Sequence, residues 1–301
     1  MPLTPASLLP HGWIALDKPL GLTSTQALGK ARKILGGKKA GHGGTLDPLA
    51  TGVLPLAFGE ATKLIPYVMD GKKAYDFAVR WGETRDTADA EGSVIATSDA
   101  RPSESAIRAA LPQFVGAIMQ RPPAYSAIKV EGQRAYDLAR AGEAVELEPR
   151  EVRIDSLELL PEPQPDSASF RVRCGKGMYV RALAQDLATA LGTCGYVASL
   201  RRTQVGPFTL EQAVTIEMLE QQGREALQPL RAALPADMVV WNLTAQESHS
   251  LKAGQGVLIR PYHGALMDSG APIWAEFEGI PVALVEPIAG EFRVLRGFCF
   301  T

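Results

Sequence analysis

The residues that could do chemistry lie between positions 41 and 64, in the run GHGGTLDPLATGVLPLAFGEATKL. Asp47 is the only acidic residue from Ala40 to Gly59, and its neighbours are small or apolar. Pro48 pushes the residue before it toward an extended conformation, and the two glycines at 43 and 44 permit tight turns. A carboxylate in such surroundings needs a cation or hydrogen-bond donors to stay ionised. Spacing alone favours a turn-capping aspartate; the alternative is a catalytic carboxylate.

Two other side chains could take part in the same chemistry. Tyr75 lies near the start of Lys72–Trp81, where apolar and polar residues alternate as in a half-buried strand, and by itself it would be a core aromatic. Arg181 lies in the first turn of a helix expected from Met178 to Leu191. A cation there is unfavourable for the helix dipole, and it falls outside the apolar stripe of the helix. Arg181 is therefore free to reach a carboxylate elsewhere.

These stretches resemble the TruB family of tRNA pseudouridine synthases, in which the aspartate of GTLDP is the nucleophile. The run at 41–64 matches the catalytic motif of that family almost continuously. The further matches are LDKPLGLTS (Leu16–Ser24), KAYDF (Lys73–Phe77), GETRDTADAEG (Gly82–Gly92), PPAYSAIKVEGQRAYDLAR (Pro122–Arg140), GKGMYVRALAQDLA (Gly175–Ala188) and LRRTQVGPF (Leu200–Phe208). Together they cover most of residues 12–210 in the family's order, which chance does not produce.

The resemblance implies three catalytic residues. Asp47 would act as the nucleophile, or as the base that starts an elimination, and Arg181 would hold its carboxylate ionised and oriented. Tyr75 would stack on the uracil and help to move the C5 proton. The reaction breaks the N1–C1′ bond, turns the base and joins C5 to C1′ without a redox step. No cofactor and no metal are therefore expected, and the four histidines are scattered along the chain.

The resemblance also implies a set of residues that bind the substrate. The target base must leave its stack, and His42 is expected to fill the vacated place by stacking on the RNA. Leu200 would line the pocket, and Lys18 and Lys63 would serve either the structure or the RNA phosphates. The full substrate-binding set is His42, Tyr179, Leu200, Lys18 and Lys63.

The implied substrate is the uridine at position 55 in the T-loop of tRNA. The sequence DPLATG, where a DPxVTG form would be the alternative, is similar to the stand-alone bacterial branch of the family rather than to its RNA-guided branch. The expected partner is therefore the tRNA T-stem-loop, bound by a monomer that needs no obligatory protein partner.

Composition describes an ordinary globular chain of 301 residues, 46% hydrophobic and 21% charged, with a formal net charge of −2. Residues 12–80 nevertheless carry ten basic against five acidic residues, and residues 171–202 carry six against one. This excess of basic residues, in the segments that hold the suspected chemistry, fits a phosphate-rich ligand.

No apolar run reaches the ~18 residues of a membrane span. The N-terminal residues lack a signal-peptide pattern and the three cysteines are widely spaced, so a reduced, cytoplasmic protein without membrane association is expected.

A cluster of cations precedes the candidate catalytic loop. Ser24 or Thr25 is expected to cap a helix that stops at the glycines 36 and 37. Either a solvated helix face or a contact with the RNA backbone would account for the cluster. Its members are Lys30, Arg32, Lys33, Lys38 and Lys39.

The predicted fold class is α+β. A mixed or antiparallel central sheet flanked by helices, the pseudouridine synthase catalytic fold, would occupy residues 1–245, with an RNA-gripping segment near 122–150. A small C-terminal β-barrel similar to the PUA domain would occupy residues 246–301, with four short strands broken by glycines. The other predicted strands are Trp13–Leu16, Leu49–Phe58, Lys72–Trp81, Glu151–Leu160 and Ser169–Cys174, and the other predicted helices are Ser103–Val115 and Gln133–Ala141.

Three other function classes fit the sequence less well. A non-catalytic RNA-binding protein could keep the basic face, but it would not need Asp47, Tyr75 and Arg181 together. A phosphatase that phosphorylates its own aspartate would need a DxD motif and Mg²⁺ ligands, and LDPL offers no second acid. The GKG at 175–177 lacks the GxxxxGK[ST] spacing of a phosphate loop, which excludes a nucleotide triphosphatase.

Overall fold

The computed structural model of the chain describes residues 9–123, 125, 129–130, 133–134, 147–161, 163–260, 263–264 and 272–300. In this part of the chain the elements form one large mixed sheet with helices packed around it and a second, smaller sheet. No helix among these residues is long and apolar enough to cross a membrane.

The strands run through most of the described chain. They are β1 (Gly12–Lys18), β2 (Ala40–His42), β3 (Ala50–Phe58), β4 (Lys73–Trp81), β5 (Glu83–Arg85), β6 (Val94–Thr97), β7 (Gly116–Gln120), β8 (Lys129–Val130), β9 (Gln133–Arg134), β10 (Arg150–Leu159), β11 (Ser167–Cys174), β12 (Gly195–Val205), β13 (Phe208–Thr209), β14 (Val240–Asn242), β15 (Val257–Leu258), β16 (Ile273–Phe277), β17 (Ile280–Ile288) and β18 (Glu291–Gly297).

The large sheet carries the candidate catalytic residues. Its strands follow the order β1-β3-β12-β4-β11-β10-β7, with β2 paired to β3 and β13 paired to β12. The pairings are antiparallel, except that β3 and β12 run parallel and bring Ala50 beside Leu200. The predicted mixed central sheet is confirmed. Its parallel contact joins two of the sequence stretches that resemble the TruB family.

The predicted strands of this sheet are confirmed. In β4 the apolar positions Tyr75, Phe77, Val79 and Trp81 are buried, while Asp76 and Arg80 are at least partly exposed. Side chains that alternate in this way bury one face of a strand against the core and leave the other face to solvent. The strands predicted near residues 13, 49, 151 and 169 are present as β1, β3, β10 and β11, with ends that differ by a few residues.

Helices cover the sheet and connect its strands. They are α1 (Ser24–Leu35), α2 (Ile65–Asp70), α3 (Glu104–Ala110), α4 (Val180–Ala190), α5 (Ile216–Gln222) and α6 (Ala245–Lys252), with short 3₁₀ turns at Gly59–Leu64, Leu111–Phe114, Leu210–Gln212, Gly223–Ala226 and Leu230–Ala233. The helix predicted over 103–115 is α3 followed by the 3₁₀ turn that contains Pro112. A proline in the chain favours such a break because it cannot donate a helical hydrogen bond.

The start of α1 differs from the prediction. Thr23, rather than Ser24 or Thr25, is the cap: its hydroxyl accepts the Gln26 N–H at 3.1 Å, and the Gln26 side chain accepts the Thr23 N–H at 2.9 Å. This reciprocal capping box satisfies two amides at the helix end. Ser24 is buried and is used elsewhere. The helix stops at Gly36, whose φ of 74° lies in the region open to glycine, as predicted.

Two other helix predictions also need correction. The helix predicted from Met178 begins at Val180, because the side-chain amide of Gln120 accepts the Tyr179 N–H at 2.8 Å and donates to the Tyr179 carbonyl at 3.1 Å, which holds Tyr179 extended. The helix predicted from Gln133 is wrong at its first two residues, which form β9. The remainder of that helix, and most of the predicted RNA-gripping segment, lies outside the described residues.

The second sheet is built from the C-terminal strands, in the order β14-β16-β17-β18-β15. The four short strands expected after residue 246 are present as β15 to β18, and β14 adds a fifth. This sheet shares a core with the large one, in which Trp13 and Phe208 belong to the same buried cluster as Trp274 and Phe298. The two sheets therefore pack as one body across this cluster.

Candidate active site

The loop that carries Asp47 joins β2 to β3 and is held by groups from the start of the chain. The Ser24 hydroxyl donates to the Leu46 carbonyl at 3.0 Å and accepts the Leu46 N–H at 2.8 Å. The Gly21 N–H donates to the Pro48 carbonyl at 2.9 Å. Both backbone groups of Leu46 and the carbonyl of Pro48 are thus fixed on either side of Asp47. A side chain held in this way needs little reorganisation before it reacts.

Arg202 holds the same loop from the opposite side. Its guanidinium donates to the carbonyls of Gly44 at 2.9 Å, Thr45 at 3.3 Å and Val53 at 2.8 Å. The side chain is only 2% exposed, so these carbonyls replace the water that its charge would otherwise require. Arg202 can approach this closely because its partner in the parallel β3–β12 pair is Gly52, which has no side chain.

Asp47 is partnered by Arg181, as predicted from the resemblance. The Arg181 Nη2 atom lies 3.1 Å from the Asp47 Oδ2 atom. The Arg181 side chain is 8% exposed and the Asp47 side chain 41% exposed, so the carboxylate faces the outside while its cation lies beneath it. A charge pair with this asymmetry orients the carboxylate and leaves it open to a substrate.

Arg181 is itself fixed by three further acceptors. It donates to the carbonyls of Thr87 at 3.1 Å and Tyr125 at 2.8 Å, and its Nη1 atom lies 3.8 Å from the Asp89 carboxylate. A guanidinium presents several donors in one plane and can serve all of these partners at once. Arg181 is the second residue of α4, in the first turn as predicted, and all of these partners lie outside that helix.

Tyr75 lies in the same cluster and is almost fully buried. It is the cross-strand neighbour of Arg202 in the β4–β12 pair, and its side chain forms a hydrogen bond with the Arg202 guanidinium. Burial raises the pKa of the Tyr75 hydroxyl, while the charge and the hydrogen bond of Arg202 act in the opposite direction. The residue as a whole is 8% exposed. Tyr75 is therefore a protonated phenol with a fixed oxygen at neutral pH.

Lys18 is fully buried beneath the loop. Its ammonium donates to the carbonyls of Leu22 at 2.7 Å, Pro19 at 3.0 Å and Pro48 at 3.4 Å. Burial lowers the pKa of Lys18 to about 8, and the nearby Asp47 carboxylate raises it in part. Of the two roles that the sequence left open, the geometry favours a structural one, since this group cannot reach a phosphate in solvent.

His42, at the end of β2, is partly buried near the loop. Burial lowers the pKa of His42, and the charge of Arg202 lowers it further, so the ring is neutral at pH 7. Its Nδ1 atom is buried and has no hydrogen-bond partner among the described residues. A neutral imidazole can stack on a base without the hydration cost of a charge.

Leu200 lies on β12 between Ala50 and Phe77, the former on β3 and the latter on β4. It lines a cavity of about 320 Å³ together with Leu49, which follows the catalytic loop, and Leu20. The cavity therefore presents apolar surface beside the loop that carries Asp47. That placement agrees with the pocket-lining role expected for Leu200.

The remaining two predicted residues make other contacts. The Tyr179 backbone is held by Gln120, and the Arg150 guanidinium lies 5.4 Å from the centre of the Tyr179 ring. The Lys63 ammonium pairs with Glu60 and donates to the Gly297 carbonyl at 2.7 Å. Lys63 thereby links the large sheet to the C-terminal sheet, which favours the structural alternative for this lysine.

Two residues of the site were missed by the sequence reasoning. Arg202 follows Arg201 in LRRTQVGPF, and the sequence does not indicate which of the two side chains faces the site. In the structure Arg202 faces the site, and Arg201 pairs with Asp17 at 2.7 Å. Asp89 lies in GETRDTADAEG, a matching stretch that was given no role. The backbone of Ala88 just before it has a φ of 62°, and such a strained non-glycine residue in a buried position is a signal only coordinates reveal.

No group of three or more His, Cys, Asp or Glu side chains lies together in a way that could hold a metal ion, among the residues that the structure describes. The acidic residues near Asp47 are instead arranged around Arg181. The arrangement supplies one exposed carboxylate, one buried cation, a fixed phenol and a neutral imidazole, a set that suits nucleophilic or acid–base chemistry on a base or sugar.

Two family models match the chain. The model described as TruB family pseudouridylate synthase (N terminal domain) matches residues 32–180, and the tRNA pseudouridylate synthase B C-terminal domain matches residues 181–240. Among curated proteins, the tRNA pseudouridine synthase B of Rhodospirillum rubrum is 50% identical over 95% of this chain and 96% of its own length. That of Gluconacetobacter diazotrophicus is 49% identical over 91% of each chain.

Solved structures show the same fold. A chain in the crystal structure of a Cbf5-Nop10-Gar1 complex aligns with a TM-score of 0.71 and 25% identity, and covers 96% of this chain and 85% of its own. The likeness extends over both sheets, since the match covers nearly all of the chain.

Proposed function

The chain belongs to the TruB family of pseudouridine synthases, and from that premise we propose that it converts the uridine at position 55 in the T-loop of tRNA to pseudouridine. The reaction is an isomerisation, an intramolecular transfer of the base from N1 to C5 that leaves the atom count unchanged. The observation that carries the proposal is the Asp47–Arg181 pair, with its exposed carboxylate 3.1 Å from a buried guanidinium.

The geometry supports the roles that the family resemblance implies for the catalytic residues. Asp47 is the carboxylate that attacks the target nucleotide or starts its elimination, and its exposure leaves it accessible to a base swung out of the hairpin. Arg181 orients this carboxylate by pairing with it from a buried position. Tyr75 stacks on the uracil and its hydroxyl helps to move the C5 proton, and the Arg202 hydrogen bond holds that hydroxyl in place.

Three further residues contact the substrate in this proposal. His42 stacks where the flipped base has left, and Leu200 supplies the apolar wall of the pocket, while Tyr179 contacts the RNA through its ring. No residue of this set requires a cofactor. The chemistry needs only a carboxylate, a proton relay and a bound base.

The partner of the enzyme is the T-stem-loop of tRNA, recognised by one copy of the chain without an obligatory protein partner. The tRNA substrate and the three free cysteines support a cytoplasmic location.

Residues 1–245 form the catalytic domain in this proposal and residues 246–301 a PUA-like domain. β14 precedes that boundary and pairs with β16, so the second sheet recruits a strand from the catalytic part.

The test is release of tritium from tRNA transcripts that carry 5-tritiated uridine, because the C5 proton is lost only when C5 becomes the point of attachment. We expect one equivalent of tritium per tRNA. A transcript with cytidine at position 55 is the matched control and releases none. Equal release from both transcripts would overturn the assignment of position 55, and no release from either would overturn the activity.

A further inference from the structure

Five cations form an exposed surface on α1 and the turn after it. No acidic residue occurs between Asp17 and Asp47, and the whole stretch carries only basic charge. We call it the α1 basic surface, and its members, all exposed, are Lys30, Arg32, Lys33, Lys38 and Lys39.

Pairing within the protein does not account for this surface. On α3 the exposed Arg108 pairs with Glu104 one turn away at 2.7 Å, as is usual for a solvated helix. Among the described residues, none of the five cations of the α1 basic surface lies within ion-pair distance of an acid. Two acids interact electrostatically with this surface, but only at longer range: Glu217 with Lys30, and Glu60 with Lys39.

The helix dipole accounts for part of the surface. Arg32 and Lys33 lie in the last turn of α1, where a cation is favourable. The two lysines at 38 and 39 follow the end of the helix, and Lys30 precedes its last turn. Lys30 and Lys33, spaced three residues apart on the same helix, repel each other in the absence of a partner.

Folding adds a sixth cation to the same place. Arg224, from the 3₁₀ turn after α5, donates to the Leu35 carbonyl at the C-terminal end of α1 at 3.3 Å. Its side chain comes from a distant part of the sequence, so the concentration of positive charge here belongs to the fold as well as to one basic run.

The α1 basic surface is connected to the active site through β2. Lys39 leads directly into β2, and His42 at the end of that strand lies three residues on, about 10 Å at the usual strand rise. His42 is five residues before Asp47. The catalytic loop is held by Ser24 at the start of α1, and the basic surface lies toward the other end of the same 12-residue helix, which is about 18 Å long. An RNA stem of several base pairs that leads away from a base at Asp47 is long enough to reach it.

We propose that the α1 basic surface binds the phosphate backbone of the RNA stem that adjoins the target loop. The proposal rests on the proposed function, because it takes the flipped nucleotide at Asp47 as the fixed point. Phosphate contacts give affinity and orientation without reading sequence. They would allow a chain of net charge −2 to bind a polyanion through one local face.

The test compares the double variant Lys33→Glu/Lys38→Glu with the equally charged control Lys252→Glu/Arg296→Glu, whose residues are exposed on α6 and β18. Binding of the isolated T-stem-loop hairpin and of full-length tRNA is measured across a salt series, and tritium release gives kcat and KM. We expect Kd and KM of the first variant to rise about tenfold or more for both RNAs, with kcat unchanged and the salt slope reduced by about 2, one unit for each lost phosphate contact. Lys33→Gln/Lys38→Gln is expected to show a smaller change in the same direction.

A Kd and salt slope equal to those of the control would overturn the proposal, and so would a loss confined to full-length tRNA, which would place the contact beyond the hairpin. Binding is measured independently of turnover. If the wild type binds tRNA but releases no tritium, the proposed function fails while the comparison of Kd values still decides this inference. If the wild type binds neither RNA, both fail.

Discussion

At the scale of single residues, the site is organised around charges that are buried to different depths. Asp47 is exposed, while its partner Arg181 and the loop-holding Arg202 are buried. Buried cations that donate to backbone carbonyls hold their positions, whereas an exposed carboxylate can meet a ligand. The catalytic carboxylate is thus the solvent-facing member of a cluster whose cations are buried.

The first prediction concerns Arg202 and Tyr75. Arg202→Lys keeps a charge but cannot serve three carbonyls and the Tyr75 hydroxyl at once, so we expect kcat to fall about 10–100-fold with KM for tRNA nearly unchanged. Arg201→Lys, next in the chain and paired with Asp17 near the surface, is the matched control and should keep most of its kcat.

A double-mutant cycle with Tyr75→Phe separates positioning from a general loss of structure. If Arg202 acts through the Tyr75 hydroxyl, Arg202→Lys lowers kcat by a much smaller factor in the Tyr75→Phe background than in the wild type. Independent, additive losses would contradict this link.

The second prediction concerns the pH dependence contributed by Lys18. Its pKa in the folded protein is about 8, below the ~10.4 of an unfolded lysine. Between these values the unfolded chain binds the additional proton, so the free energy of unfolding rises with pH over this window. Below pH 8 both states are protonated and the contribution is constant.

The measurement is urea denaturation of the wild type and of Lys18→Met between pH 7 and 10. We expect the stability of the wild type relative to the variant to increase by roughly 1–3 kcal/mol over that range. A difference that stays flat, or that falls with pH, would show that Lys18 does not titrate as its burial implies.

The sequence identified most of the residues of the cluster but not how they are joined. Asp47, Tyr75 and Arg181 are found by a motif, and the structure places them together. Arg202 could not be separated from Arg201, because which of them faces inward depends on the β-bulge between 202 and 204 in the β4–β12 pair. A bulge changes the face of a side chain, and composition does not reveal it.

At the scale of elements, the loop depends on a close approach of two strands. β3 and β12 run parallel, and at Gly52 the backbone has a φ of 99°. A Cβ atom added there would lie 2.1 Å from the Arg202 carbonyl oxygen, far inside van der Waals contact. The glycine is therefore required by the packing of the site as well as by its own backbone.

The third prediction is that Gly52→Ala lowers the free energy of unfolding by about 2–4 kcal/mol, through strain and through displacement of Arg202. Gly21→Ala is the matched control, because Gly21 also has a positive φ, 82°, but open space around it. Gly21→Ala should lower the free energy of unfolding by only about 1–2 kcal/mol. Urea denaturation of both variants checks the difference, and equal losses would show that the close approach does not matter.

Strands and helices were foreseen to different degrees. The period of two in β4 and β11 marked their buried faces, because each strand has one face in the core. The parallel pairing of β3 with β12 is invisible to such a pattern, since it depends on residues far apart in sequence. The late start of α4 likewise depends on Gln120, a residue of another strand.

At the scale of the whole molecule, the C-terminal sheet is tied to the catalytic part by polar and apolar contacts. The Cys299 N–H donates to the Glu60 carboxylate at 2.9 Å, and Lys63 donates to the Gly297 carbonyl. The buried cluster that contains Trp13 and Trp274 lies between the two sheets. The tail of the chain therefore helps to stabilise the sheet that holds the site.

The fourth prediction is that Lys63→Met lowers the free energy of unfolding by about 1–3 kcal/mol, since it removes the cation beside the buried Glu60 carboxylate, which keeps the Cys299 N–H, and takes the Lys63 donor from the Gly297 carbonyl. KM for tRNA should stay within about twofold of the wild type, as expected for a structural lysine. Urea denaturation and tritium-release kinetics on the same preparation check both parts. A raised KM with unchanged stability would instead assign Lys63 to phosphate binding.

The central claim is that the carboxylate of Asp47 reacts with the target nucleotide. The direct measurement is single-turnover tritium release by Asp47→Asn, beside Asp70→Asn, a conservative change at an exposed acid paired with Lys176. We predict that Asp47→Asn loses at least about 10⁴-fold in rate while it binds the tRNA hairpin with nearly the wild-type Kd, and that Asp70→Asn is unaffected. Retention of more than a tenth of the wild-type rate by Asp47→Asn would contradict the account.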